Sequence, residues 1–264
     1  GMVDMMDFNI GDHDAYSKMV LGWVKPKVID GSSSDFNLTL SSFTDTGDCV
    51  ILRDTKTDKW NGTPYDEYLL LQYYTTTGLN SQDSAGYPEW KKYGSGGCYK
   101  TFGLQVFHID SRLYKQYGTY DTSTGKATST NYDYTDTPVK TANISDTVNG
   151  TYELTGILAD NTGSRSGEIN DGVVSLNSAN RLISALPADT TNKFKTTAFE
   201  SHLGENSTLF GVGSSYGGDY YSQYAMGNLY PNGNSFDDGS SLNWNFQVIS
   251  NDSTSCTIHF IEGA

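Results

Sequence analysis

Tyr65-Asp66-Glu67-Tyr68-Leu69-Leu70-Leu71-Gln72-Tyr73-Tyr74 is the stretch that decides the fold. With a period of two, Tyr68, Leu70 and Gln72 fall on one face of a strand, and Leu69, Leu71 and Tyr73 fall on the other. A strand that is apolar on both faces must be covered on both, which predicts a central strand of a sandwich. Working outward, Leu104 to Asp110 reads as a second strand after the Gly-rich Gly94-Ser95-Gly96-Gly97, and Cys49 to Leu52 as a short buried one. Phe36, Leu38 and Leu40 alternate with Asn37, Thr39 and Ser41, the pattern of a half-buried strand. At the far end, Trp244, Phe246 and Val248 alternate with polar residues, Asn251-Asp252-Ser253 turns the chain, and Cys256, Ile258 and Phe260 alternate again. That is a hairpin. Tyr152 to Leu158 and Val173 to Leu176 resume apolar patterning, and Asn180 to Leu186 reads equally as a strand or a short helical turn.

The period lengthens in one place only. Tyr16, Met19, Val20 and Trp23 recur at helical spacing, with Asp12 or Asp14 as N-cap, Gly22 near the end and Pro26 as the stop. The expected class is therefore mainly β: an antiparallel β-sandwich with one short N-terminal helix. The reading divides the chain into residues 1–26, which carry the helix, and 27–264, the sandwich region. Residues 116–150, rich in Thr, Ser, Asp, Asn and Tyr, are expected to form an irregular polar excursion with sparse strand pairing.

Composition narrows the function classes. Of 264 residues, 18% are charged and 13% aromatic, with 19 Tyr against 11 Phe, which suits an extracellular all-β protein whose Tyr rings pack while their hydroxyls stay wet. The formal net charge of −14 makes nucleic acid and anionic lipid poor partners. It is compatible with bound calcium and equally with a soluble secreted surface. Three cysteines, Cys49, Cys98 and Cys256, allow at most one bridge, and the sequence does not say which. No apolar run approaches the roughly 20 residues of a membrane span. Gly1 before Met2 resembles the scar of a cleaved tag, which on this reading would leave the natural start outside the sequence.

Zinc peptidase chemistry needs two His ligands at i and i+4 on one helix, with a Glu beside the first as general base. The four histidines are His13, His108, His202 and His259. None lies four residues from another and none precedes a Glu, so the motif is absent from this sequence. His108 shares a strand face with Leu104, Val106 and Asp110. It reads either as half of a His108–Asp110 polar pair at a strand end, or as a rim histidine satisfied by a nearby carboxylate or carbonyl. His259 is expected to face solvent. Gly213-Ser214-Ser215-Tyr216-Gly217 matches the nucleophile elbow, which would pair Ser215 with His259, but the chain lacks the alternating strands and helices that an elbow requires. Cys98 with His108 is a weak thiol candidate beside the plainer reading of a half-buried loop cysteine. Asp237-Asp238-Gly239 does not fit calcium-loop spacing, although irregular loops and carbonyls leave calcium open. Tyr216, Tyr220, Tyr221 and Tyr224 could stack on sugars or simply be scattered aromatic surface.

Asp4-Met5-Met6-Asp7, then Gly11-Asp12-His13-Asp14-Ala15-Tyr16-Ser17-Lys18 and Leu21-Gly22-Trp23-Val24, resemble the immune inhibitor A family of secreted bacterial zinc metallopeptidases. Glu67-Tyr68-Leu69-Leu70-Leu71-Gln72, Gly103 to Asp110, and Trp244-Asn245-Phe246-Gln247-Val248 resemble later segments of the same family in the same order. The resemblance implies that Met5 or Met6 is the counterpart of the methionine turn beneath the metal. It also makes residues 1–26 a remnant of the catalytic subdomain and leaves the zinc and its ligands to an absent upstream part. Asp12, His13, Asp14, Lys18, Trp23, Glu67, Tyr68, His108 and Asp110 are the family-motif residues. Gln72 stands where the family often has an acidic residue, and residues 116–150 have no counterpart.

On this reading the chain is the non-catalytic C-terminal part of a secreted or cell-surface peptidase, its partner being the parent's catalytic subdomain. The alternative is a stand-alone secreted module that binds glycan or protein, with a serine hydrolase at Ser215 behind both. If the first reading is right, residues 4–24 have lost the partner of their apolar face and should be the least stable part.

Overall fold

A computed structural model of the protein describes residues 11–29, 35–53, 60–85, 99–121, 123–124, 126–135, 151–157, 169–170, 173–174, 182–188, 206–217, 236 and 244–262. Five strands form the first sheet: β1 (Lys27–Ile29), β3 (Cys49–Leu52), β4 (Glu67–Tyr74), β5 (Gly103–Asp110) and β11 (Ile183–Leu186), in that spatial order. Its pairings are antiparallel except β1 with β3, which is parallel. The second sheet has the order β12 (Ser215–Tyr216), β13 (Trp244–Asn251), β14 (Ser255–Glu262) and β2 (Asp35–Ser41), antiparallel throughout.

The two sheets bury a common core. Val50, Leu52, Leu69, Leu71, Leu104, Val106 and Leu186 from the first meet Leu40, Trp244, Phe246, Val248, Cys256, Ile258 and Phe260 from the second. Each fully buried Leu or Phe contributes about 1.5–3 kcal/mol relative to an exposed one. The opposite face of the five-stranded sheet is covered as well: Cys49, Ile51, Tyr68, Leu70, Phe107 and Ile109 pack with Ala15, Tyr16, Met19 and Phe43. Those partners come from α1 (Ala15–Val20) and from α2 (Phe43–Thr46). Hence all eight residues of β4 and all eight of β5 are buried, as strands with two covered faces require.

The fold is thus mainly β and sandwich-like, with a helical layer against one sheet. The single helix expected from the sequence becomes three among the described residues, because α2 and α3 (Asn80–Ala85) are too short to show apolar periodicity. At six residues α1 is below the length at which a helix stands alone, so packing rather than propensity holds it. The C-cap of α2 is Gly47 at φ +73°, where a Cβ would also lie 2.7 Å from Cγ1 of Val24.

Of residues 180–186, open between strand and helix, Ile183–Leu186 form the edge strand β11, and residues 180 and 181 lie outside the described set. The expected irregular excursion is in good part regular. β6 (Leu113–Tyr120) lies between β7 (Ala127–Thr135) and β8 (Thr151–Ile157) in a third, antiparallel sheet. Thr and Tyr favour pleated backbone without an apolar face, so the hydrophobic alternation that marks other strands is missing. Instead, hydroxyls pair across the ladder: Thr119 Oγ1 lies 2.9 Å from Thr128 Oγ1 and 2.8 Å from Ser129 Oγ. Residues 136–150 lie outside the described set. A two-stranded ladder joins β9 (Ile169–Asn170) to β10 (Val173–Val174). Among the described residues no helix is long and apolar enough to cross a membrane.

Candidate functional site

The residues that the resemblance singles out lie at the five-stranded sheet, on opposite faces. Alternation places Glu67, His108 and Asp110 on the face toward the second sheet, beyond Leu69 and Val106 at one end of the shared core. Glu67 and Asp110 are directly opposed in the ladder, which on its own is repulsive. Arg112 resolves this. Its Nε and Nη2 donate to the two Asp110 oxygens at 2.8 Å each, and Nη2 lies 3.4 Å from Glu67 Oε2. Glu67 Oε1 is 2.9 Å from His108 Nε2, both side chains being essentially without solvent contact. Arg53, equally buried, donates to the Glu67 carbonyl and lies over the Phe236 ring at 5.0 Å, and that ring stacks on His108 at 5.8 Å. Ser184, opposite His108 in the ladder, has a buried Oγ with no hydrogen-bond partner among the described residues.

His108 therefore pairs with Glu67 rather than with Asp110, and it is the rim histidine held by a carboxylate. Reading the sequence missed Arg53, Arg112, Ser184 and Phe236. Arg112, two residues after Asp110, and Arg53, closing the apolar run of β3, were the available signals, since a charge ending a buried strand needs a partner. This cluster does not fit zinc: two guanidinium groups stand where a dication would have to be tolerated. Among the described residues, no group of three or more His, Cys, Asp or Glu side chains is arranged to hold a metal ion.

The helical face carries the remaining motif residues. Asp14 caps α1, accepting from Ser17 N at 2.7 Å, and Lys18 Nζ reaches Asp12 Oδ2 at 2.5 Å while lying over the Phe43 ring. Asp12 N donates to Asn80 Oδ1 at 2.9 Å, and Ala15 N donates to Gln72 Oε1 at 2.7 Å. His13 meets the edge of Trp23, whose ring is largely exposed. Tyr68 OH donates to the Pro64 carbonyl, and burial pushes its hydroxyl well above the usual range. Burial likewise pushes Tyr16 up to about 12. Among the described residues of 4–24, Ala15, Tyr16 and Met19 are packed against the sheet, while Val20, Leu21 and Trp23 are exposed. Met5 and Met6 lie outside the described residues.

Other candidates separate. Ser215 sits on an edge strand of an antiparallel sheet and pairs with Gln247, which pairs in turn with His259. Two strand spacings, about 10 Å, divide Ser215 from His259, so no Ser–His pair forms. Ser215 Oγ instead accepts from Gln247 Nε2 at 3.3 Å. His259, expected to face solvent, is half-buried, with Nδ1 at 2.7 Å from Asn37 Oδ1 and Nε2 at 3.4 Å from Asp35. Tyr216 stacks on Phe246 inside the core, so it offers no platform for a sugar. Tyr220, Tyr221, Tyr224, Cys98 and Asp237-Asp238-Gly239 lie outside the described residues. Cys49 and Cys256 are buried free thiols, each pushed up to about 12 chiefly by burial, which removes thiolate reactivity.

No protein-family model, curated protein or solved structure matches the chain.

Proposed function

We propose that the chain is the non-catalytic β-rich part of a secreted bacterial zinc metallopeptidase of the immune inhibitor A type, and that it supports the catalytic subdomain of that enzyme. The carrying observation is how the motif residues are used. His108 pairs with Glu67 and Arg112 bridges Glu67 to Asp110, all of them largely closed to water, while Asp14 and the Asp12–Lys18 pair brace the helix whose Asp12 and Ala15 N–H groups reach Asn80 and Gln72. Buried charges paired with one another suit a scaffold better than a reaction centre, which needs substrate within hydrogen-bond reach of its acid or base. The peptide-bond hydrolysis, by a water whose pKa a zinc ion lowers, would belong to the upstream part.

The test has two arms. The chain incubated with zinc and a peptide library should release no products, and zinc-dependent cleavage would remove the non-catalytic reading. The reading frame upstream of Met2 should encode H-E-x-x-H within about a hundred residues. A signal peptide directly upstream would instead favour a stand-alone binding module. That second reading draws on the outer face of the four-stranded sheet, where Asn37, Thr39, Thr257 and Gln247 present amides and hydroxyls. Specific retention on a glycan array by the chain alone would support it.

A further inference from the structure

The N-terminal segment is fastened to the sandwich by two amide side chains, each oriented before it is used. Gln72 lies on β4, facing α1, and is 5% exposed. Its Nε2 donates to Gln105 Oε1 at 2.8 Å on the neighbouring strand, which turns its carbonyl oxygen toward the Ala15 N–H. Asn80, 6% exposed, repeats the arrangement. Its Nδ2 donates to the Thr75 carbonyl at 3.1 Å, and its Oδ1 accepts from Asp12 N. In both cases the NH2 group is spent within the sandwich and the carbonyl is spent on the incoming chain. The first N–H groups of a helix have no intrahelical acceptor, and here Asp14 and Gln72 divide the work. Lys18, bridging back to Asp12, closes the segment on itself.

We propose that Gln72 and Asn80 are positioning residues, a polar latch that fixes residues 12–15 on the sandwich and so fixes Gly11, where the segment bearing Met5 and Met6 joins. This rests on the reading above that the upstream segment belongs to a metallopeptidase catalytic subdomain. Apolar packing of Tyr16 and Met19 would hold α1 against the sheet but would let it slide or rotate, because packing is not directional. Two hydrogen bonds to backbone, from side chains whose other ends are already anchored, set its register.

Amide hydrogen exchange of the intact chain tests the latch without peptidase activity. Gln72→Met keeps length and apolar bulk but removes the acceptor, leaving a buried N–H unsatisfied. Exchange at Asp12 and Ala15 should then speed up about tenfold or more relative to β4 and β5. Gln72→Glu keeps an acceptor and should restore protection at Ala15. Asn80→Ala should act mainly at Asp12. Unchanged protection in Gln72→Met, or no rescue by Gln72→Glu, overturns the latch. In the full-length peptidase, Gln72→Met should lower kcat more than it changes KM, with zinc content intact. An unchanged kcat overturns the positioning role. If no zinc motif lies upstream, the proposed function fails by that result alone, while the exchange experiment still decides whether the latch exists.

Discussion

Both faces of the five-stranded sheet are covered by apolar residues, but they solve the problem of buried polarity differently. Toward the second sheet, the polar residues at the rim are charged: Glu67, Asp110, Arg112 and Arg53, with His108 among them. Toward the helices the groups that link sheet and helix are neutral, Gln72, Gln105, Asn80 and the phenols of Tyr16 and Tyr68, while the charged Asp12, Asp14 and Lys18 belong to the N-terminal segment itself. The difference follows from what each face must hold. The charged rim joins neighbouring strands of one sheet, whose spacing is already set by the ladder, so ion pairs cost little further ordering. The helical face must capture a six-residue helix whose first backbone N–H groups have no intrahelical acceptor, and the Gln72 amide oxygen accepts from one of these while the buried Asp14 carboxylate accepts from another.

That contrast can be broken from either side, and the largest effect should come from the charged rim. Glu67→Ala strands His108 and part of the Arg112 charge in a closed site, and should destabilise the fold by about 3–5 kcal/mol in urea titration. The double variant with His108→Ala should cost clearly less than the sum of the single changes, because the two groups share one interaction. A loss below about 1 kcal/mol would show that the rim is wetter than its burial indicates. On the helical face, Met19→Ala removes apolar contact alone and should cost about 2–3 kcal/mol, with exchange rising first in α1.

High pH should sharpen the comparison by titrating both faces. Tyr16 and Cys49 on the helical side and Cys256 in the shared core have folded values near 12, against ordinary values of 10.0 for the phenol and 9.0 for the thiols. Burial also raises Tyr73, whose hydroxyl donates to the Asp252 carbonyl. A group whose folded pKa is raised contributes stability that is complete below its unfolded value and is lost as pH rises through the folded one. The thermal midpoint should therefore fall from about pH 9 upward and most steeply between about 10 and 12. Tyr16→Phe should soften that fall, and an unaltered alkaline profile would deny Tyr16 its share. The smallest effect is expected outside both faces. Ser215→Ala on the edge strand should change stability by less than about 0.5 kcal/mol, and a fluorophosphonate probe should leave Ser215 unlabelled in the unaltered chain.

Legibility differed from element to element for physical reasons. The hairpin of β13 and β14 was plain because one face is buried and one is wet, so its sequence alternates. Its turn is equally local: Asp252 Oδ1 accepts from Thr254 N, Thr254 Oγ1 and Ser255 N, contacts that also hold its carboxyl below the usual range. The β6–β7 ladder was hidden because hydroxyl pairing leaves no apolar rhythm. His108 stood out as a histidine in an apolar strand and Glu67 only through the resemblance, but that they touch depends on the antiparallel register of β4 and β5 across 41 positions of chain. Arg53 and Phe236 join them from still other parts of the chain, with nothing local to announce it.

By itself the sequence determined that this is a β protein with two-sided central strands and an amphipathic N-terminal turn of helix, because those properties are written in periods of two and of about 3.6 residues. It also determined that no H-E-x-x-H pair is present, which is a matter of counting. Only the tertiary structure decided that α1 has a partner in the sheet, that His108 belongs to Glu67, and that Gln72 and Asn80 accept from the chain's N-terminal backbone. Each of these joins residues distant in sequence through register and packing, and local periodicity carries no information about which distant residue will be met.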